Sequence, residues 1–431
     1  MEVVAVRFES GERMAMLLDK QGVPVGSITL FSTVRLRNAG LSFNSIRNKL
    51  YDLKALLAWQ QEQGRDLEAE IRQGKVPVLT DLISIRDFSG LRLNHSKERN
   101  SGKVTALHDA HLAPVQSKAT VSKQVQYSRL TTIADYLEFV GQTAATAVGR
   151  PEFVKNLDRM VRSLRQHRPR GMTSQDEDLE ALSPPTEVIE AFVQVGSEGH
   201  PENPFRTGVL QRRNELIFRV LLETGIRRGE LLSLRIDKLG LGEEPYIAVV
   251  RTQDDKYDSR IYQPVAKTKE RVLPISDALA KRVHEYCLED RAKTPGAKRH
   301  PYLFVVHRNG STCGKPLAIA TLGNKVFGAM QRVRSEFAVV HPHAFRHHLN
   351  NVLSKLVDES NRAARAGDAA SSKPMTEARE RDMRAYLNGH RSKKSGAAYN
   401  KRHVREEGNK ALRELQKRMM AKDSQNEVQD G

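Results

Sequence analysis

The chain has 431 residues, 39% of them hydrophobic and 28% charged, and its 70 Lys and Arg against 52 Asp and Glu leave a net charge of +18. That length suits two domains, each large enough to bury its own core, and the charge suits a polyanionic partner, since phosphates release counterions to Lys and Arg. Two cysteines, Cys287 and Cys313, exclude a disulfide framework, and no apolar run reaches the length that spans a bilayer. Residues 1–35 alternate in the manner of strands, through Val3 to Phe8, Met14 to Leu17, and Val25 with Ile28 to Leu30, punctuated by Gly11 and Gly22. The first ten residues carry Glu2 and Glu9 and lack the apolar core of a signal peptide. From Leu41 the period becomes helical, with Ile46, Leu50, Leu53 and Leu57 on one face and Gly64 as the stop. A second helix is expected from about Val125 to Val140, and the basic stretch 92–124 between them reads as a loop. Residues 165–180, RQHRPRGMTSQDEDLE, are a linker, and Ser183 to Glu187 opens the next helix. Tyr246 to Arg251, Arg260 to Val265 and Val272 to Ile275 read as strands of a small sheet. The remainder reads as helical to about Met420, interrupted by an Ala/Ser/Gly-rich surface insertion at 361–376.

Five pieces of the second half carry chemistry-bearing side chains. In Glu223-Thr224-Gly225-Ile226-Arg227-Arg228-Gly229-Glu230-Leu231 an apolar helix breaks at Gly225, which sets Arg227 at a helix–helix corner. In Val265 to Pro274 two strands flank a polar tip that carries Lys267 and Lys269; an edge-strand lysine that discourages aggregation has the same appearance. In His343-Ala344-Phe345-Arg346-His347 the first His and the Arg are three apart and share a helix face. His341, His343, His347 and His348 also raise a metal reading, against which no carboxylate or Cys partner motif stands nearby. Leu387-Asn388-Gly389-His390 and Tyr399 complete the set, with His390 and Tyr399 nine positions apart.

The order Arg, Lys, His-x-x-Arg, Gly-His, Tyr resembles the tyrosine recombinase (phage integrase) family. Residues 224–231 match its Thr-Gly-x-Arg-x-x-Glu-Leu pattern fully, and the interval from Gly-His to Tyr matches too. The motifs span roughly residues 180–400, and Gly40 to Arg47 looks like the start of the family's core-binding domain. The resemblance implies a mainly α protein with a small antiparallel β-sheet: a helical core-binding domain plus an α+β catalytic domain. On that reading residues 1–35 are a β-like extension, 36–165 the helical DNA-binding domain, 166–182 the linker, 183–403 the catalytic domain and 404–431 a helical tail. Ala411, Leu412, Leu415 and Met419 share one face of that tail, which docks either in cis or, by the family's habit, on a neighbouring protomer.

The implied reaction is DNA cutting and rejoining through a 3′-phosphotyrosine. Arg227 and Arg346 would clamp the scissile phosphate, because planar guanidinium forks hold non-bridging oxygens in pairs. His343 and His390 would add donors and move a proton, Tyr399 would attack, and Lys267 would protonate the leaving 5′ oxygen. The lysine hairpin is one residue shorter than the family pattern, so Lys269 is the alternative acid. Glu230 would orient neighbouring basic groups. No P-loop and no carboxylate pair suited to two metals is present, so neither cofactor nor metal is expected. The expected partner is double-stranded DNA, held by a homo-oligomer (a dimer per site, a tetramer in synapsis), with Arg92, Lys97, Arg99, Lys103, Lys118, Lys123 and Arg129 on phosphates. A cytoplasmic, nucleoid-associated setting fits. A type IB topoisomerase and a catalytically silent DNA-binding regulator are the competing functions.

Overall fold

The computed structural model describes residues 1–93, 119–170, 184–365 and 374–390. These residues are mainly helical, with two small antiparallel sheets, and the chain divides into two compact units, the first Met1–Phe8 with Glu12–Thr173 and the second Glu9–Gly11 with Ser174–Gly431.

The first unit opens with a hairpin in which β1 (Glu2–Arg7) pairs with β2 (Arg13–Leu18), Glu2 opposite Leu18 and Arg7 opposite Arg13. Alternation turns Ala15 and Leu17 inward. Strand-like alternation does not continue to Leu30 as the sequence reading expects. The chain becomes helical at α1 (Gly26–Leu30) and runs on in a wider π turn, Phe31–Arg37. Ile28, Phe31 and Leu36 are the buried apolar positions, with Ser32 buried beside them. They join the core formed by α2 (Phe43–Gln63), α3 (Leu67–Arg72), α4 (Leu79–Ser89), α5 (Lys123–Val148) and α6 (Pro151–Gln166). Ser42 caps the start of α2, its hydroxyl accepting from Ser45 N at 3.4 Å, and Gly64 ends it in the left-handed conformation. Polar braces cross this core: Asp52 accepts from Ser128 Oγ at 2.8 Å and Thr132 Oγ1 at 2.9 Å, and Trp59 Nε1 donates to Ser84 Oγ at 3.0 Å.

The second unit begins with α7 (Thr186–Val195), α8 (Gly208–Thr224) and α9 (Arg228–Leu232). A three-stranded sheet follows in the order β3 (Leu239–Gly240), β4 (Tyr246–Val249), β5 (Arg271–Pro274), with Val249 opposite Arg271. Then come α10 (Asp277–Glu285), a helical stretch α11 over 319–330, α12 (Pro342–Arg365) and α13 (Glu377–Asn388). Phe192, Phe218, Phe327, Phe337 and Phe345 pack edge to face or stacked at the centre of its core. No strand forms over Arg260 to Val265. These residues instead form an irregular segment pinned by buried polar groups: Arg260 pairs with Asp258 and donates to the carbonyls of Leu232 and Leu317 at 3.0 and 2.7 Å. Most of the expected linker, the centre of the basic loop, the middle of the 361–376 segment and the whole 404–431 tail lie outside the described residues.

Candidate active site

Helix α8 ends where Gly225 turns left-handed, at φ +56°. A Cβ on Gly225 would lie 2.7 Å from Leu349 Cδ2, so this corner is packed directly on α12. Two residues on, Arg227 caps α9: its backbone N–H donates to Glu230 Oε2 at 3.1 Å. The guanidinium is thereby aimed from a fixed backbone, as the sequence break suggests.

Arg346 projects from α12 and is fully buried. Its Nη1 donates to Gly225 O at 3.1 Å and its Nη2 to Asn388 O at 2.5 Å. Arg227 Nη1 donates to that same Asn388 carbonyl at 3.2 Å. Two guanidinium groups remote in sequence thus meet on one oxygen at the C-terminus of α13. Arg271 closes the cluster by donating from Nε to Leu387 O at 2.9 Å. The last carbonyls of a helix are its negative end and have no partner within the helix, so three cations gather there for a plain electrostatic reason.

The two histidines of the motif flank this cluster. Gly389 ends α13 at φ +63° and turns the chain so that His390 is 7% exposed, its Nε2 3.4 Å from Arg346 Nη2. Burial, then the charges of Arg346, Arg227 and Arg271, hold the His390 pKa down to about 4. His343 stands one helical turn before Arg346, at the rim. Desolvation first, then His347, Arg346 and Arg227, depress its pKa in the same direction. Both imidazoles are therefore neutral at pH 7.

Glu230 is the hub beneath the arginines. It accepts from Thr268 Oγ1 at 2.7 Å and Arg271 Nη2 at 2.9 Å, and lies 3.5 Å from Arg227 Nη1. Burial would raise its pKa, but the Arg271 charge and the hydrogen bonds from Arg271, Thr268 and the Arg227 backbone outweigh that and hold it below the usual carboxylate value. Arg271 is a site residue the sequence reading missed. The sign of it was there: Arg271 and Leu273 alternate on β5 and share its buried face. Asn388 and Thr268 were passed over as well, since their contributions are one carbonyl and one hydroxyl.

Lys267 and Lys269 are both exposed, but not at the tip of a two-stranded hairpin, because only the later flank, β5, is a strand. Ala266 is buried on one side of Lys267, Thr268 is tied to Glu230 on the other, and Lys269 N donates to Gly389 O at 3.1 Å. The stretch that bears the lysines is therefore fixed against both α9 and the end of α13. Tyr399 lies outside the described residues. Of the basic residues expected on phosphates, Arg92 and Lys123 are exposed, and Lys97, Arg99, Lys103 and Lys118 lie outside the described residues. Arg129 is a correction: it is buried, with Nη1 donating to Ser89 O at 2.9 Å and Leu91 O at 2.7 Å, so its charge holds a chain turn in place. The His343 and His347 rings meet edge to face at 4.7 Å, and among the described residues no group of three or more His, Cys, Asp or Glu could hold a metal ion.

Three guanidiniums, one carboxylate and two neutral imidazoles leave this cluster with a surplus of two positive charges (three minus one). Such a surplus suits an anionic ligand, and one that gains negative charge more than one that keeps it.

A family model described as the phage integrase family matches residues 202–358. No curated protein matches the chain. Among solved structures similar to it are two of the XerH site-specific recombinase. One is bound to its palindromic difH substrate after cleavage, with 14% identity over 89% of this chain and 84% of that one and a TM-score of 0.48. The other is bound to difH before cleavage, with 13% identity over 89% and 84% and a TM-score of 0.46. A third is the XerA recombinase, with 15% identity over 89% and 98% and a TM-score of 0.34.

Proposed function

From the match of residues 202–358 to the phage integrase family, we propose that this chain is a tyrosine recombinase that recombines DNA at specific sites by way of a covalent 3′-phosphotyrosine. The supporting observation is the convergence of Arg227 and Arg346 on the Asn388 carbonyl, with His390 and His343 neutral beside them. In the proposed cleavage, the Tyr399 phenol oxygen attacks a phosphorus held by the two guanidiniums. The phenol proton passes to a neutral imidazole. The bond from phosphorus to the 5′ oxygen breaks, and that oxygen takes a proton from Lys267. Rejoining runs the same steps backwards, with the 5′ hydroxyl of another strand as nucleophile. Bond energy is kept in the phosphotyrosine, so no nucleotide cofactor is consumed. Two protomers per site and four in the synapse follow from exchanging two duplexes.

The test uses nicked duplexes cut from the DNA on either side of the gene, so that the short cleaved strand diffuses away and the adduct accumulates. The expected result is a protein–DNA adduct that survives SDS, forms on some duplexes and not others, and is absent for Tyr399→Phe. An adduct with the Phe variant would remove Tyr399 as nucleophile. Equal cleavage of every duplex would remove site specificity.

A further inference from the structure

The seat of α13 on α12 is built almost wholly from buried hydrogen bonds. Arg346, Asn350 and Ser354 recur every four residues along one face of α12 and are 0, 0 and 2% exposed; Arg384 and Asn388 do the same on α13, at 2 and 4%. Arg384 donates from Nη1 to Asn350 O at 3.0 Å and from Nη2 to Ser354 Oγ at 2.8 Å. The Asn350 and Asn388 side chains bond each other twice. Asn350 Nδ2 donates to Asn388 Oδ1 at 3.1 Å, and Asn388 Nδ2 to Asn350 Oδ1 at 2.8 Å. Asn350 Nδ2 also reaches Arg346 O at 2.8 Å, which requires the amide to lie this way round. Apolar contacts weaken gradually when helices slide, whereas a reciprocal amide pair in a dry interface is either made or leaves two buried polar groups unsatisfied. It therefore pins one register.

The backbone carbonyl of Asn388 is the oxygen on which Arg227 and Arg346 meet. On the strand-transfer reading, we propose that the Asn350–Asn388 pair is a positioning device for the phosphate clamp: it fixes the last carbonyl of α13, and through that carbonyl the separation of the two guanidiniums. Neither asparagine touches the DNA. Each acts by deciding where two other residues stand.

Asn350→Ala and Asn388→Leu each leave one buried amide without its partner, whereas the double variant removes both amides and orphans neither. Covalent adduct formation is followed at saturating nicked duplex, duplex affinity is measured separately, and calorimetry checks that each protein is folded. Each single variant is expected to slow adduct formation by about 100-fold, the scale of a displacement near 1 Å in a reacting geometry, with affinity kept within about twofold. The double variant is expected to regain stability, since it orphans no amide, but to stay slow, since it lacks the pair that sets the carbonyl. Wild-type rates in the single variants, a fall in affinity equal to the fall in rate, or a double variant restored to the wild-type rate would each overturn the proposal.

A readout independent of cleavage separates this inference from the function itself. His390 lies 3.4 Å from Arg346 and feels both arginines. Its ring titration, followed by NMR and assigned against His390→Gln, should move in each single variant and stay displaced in the double. If the wild-type protein cleaves no DNA but the titrations behave in this way, the strand-transfer reading fails and the positioning role stands. Titrations identical in all four proteins would sink the positioning role whatever the cleavage result.

Discussion

Glu230→Gln is the sharpest probe of how the site is held. The substitution keeps the volume of the side chain and removes its charge. Thr268 still has an oxygen to donate to, but one former acceptor becomes an NH2 facing the donors of Arg271 and Arg227. Both partners of the Glu230–Arg271 ion pair have side chains 1% exposed, with N and O 2.9 Å apart, so the variant strands a buried cation. Breaking such a pair from one side costs about 3–5 kcal/mol, most of it the desolvation of the charge left behind. For a unit of this size that is a fall of very roughly 6–20 °C in melting temperature. The pair's contribution carries a pH signature. Because the folded-state pKa of Glu230 is held below the usual carboxylate value, its stabilisation is fully present above the unfolded value and is lost as pH falls through the folded one. The gap between variant and wild type should therefore be widest near neutrality and narrow in acid. Calorimetry across that range, with Glu230→Gln/Arg271→Met beside it, tests each step. The double variant should recover most of the loss, since it leaves no orphan. A Glu230→Gln protein that melts within about 1 °C of wild type at pH 7 would refute the idea that the carboxylate is the counter-charge of the cluster.

The other expected outcomes concern the rim and the helix end. His390 has a folded value near 4 against an ordinary 6.5, so the unfolded chain binds its proton more readily. Its contribution is complete above pH 6.5 and fades down to about 4, up to about 3 kcal/mol across the window; His390→Gln should flatten that part of the stability profile, and an unaltered slope would assign the titration elsewhere. Lys267→Ala should abolish adduct formation on ordinary duplexes and regain it on duplexes with a bridging 5′ phosphorothiolate, whose sulfur leaves without an acid; rescue of Lys269→Ala instead would move the acid role to that residue. Gly389→Ala should destabilise the second unit and slow cleavage together, because its Cβ would come within 2.6 Å of Arg271 Nη1 and 2.8 Å of Thr268 Cβ at a φ of +63°. Wild-type melting of that variant would mean that the end of α13 is loosely seated.

What could be read from the sequence follows from which interactions leave a periodic trace. The stripe of Ile46, Leu50, Leu53 and Leu57 and the stop at Gly64 define α2 within two residues, because apolar burial on a helix repeats and left-handed caps favour glycine. The break at Gly225 places Arg227 at its corner for the same reason. Polar burial leaves no such trace. Asn350, Asn388 and Arg384 look like exposed helix residues, and their partners lie 30 or more positions away. Arg129 sits in a basic stretch and reads as a phosphate contact, although two backbone carbonyls already hold its Nη1. Arg260 to Val265 fails in the opposite direction: the apolar Ile261 and Tyr262 are exposed, and the buried side chains beside them are an ion-paired Arg260 and Gln263, so no sheet face forms. The helical turn at Gly26–Arg37 is hidden by the run Ile28 to Leu30 that follows two strands, although its buried residues Ile28, Phe31, Ser32 and Leu36 fall at i, i+3, i+4 and i+8.

The arginines and the histidines of the site are better treated as one device than as separate roles. The guanidiniums that would hold a phosphate also push both imidazoles toward their neutral forms, after burial at His390 and after burial and His347 at His343. An empty site thus keeps its imidazoles free of protons and able to accept one, but as weak bases. On the proposed function, a bound phosphodiester would reverse part of that push. Its negative charge would favour imidazolium and raise both values toward the ordinary range, and the same guanidiniums would stabilise the phenolate of an attacking tyrosine. Binding would then move the proton donor and the proton acceptor toward each other in affinity, provided that the clamp is preformed. The buried ladder between α12 and α13, with its carbonyl already occupied by both arginines, would supply that condition.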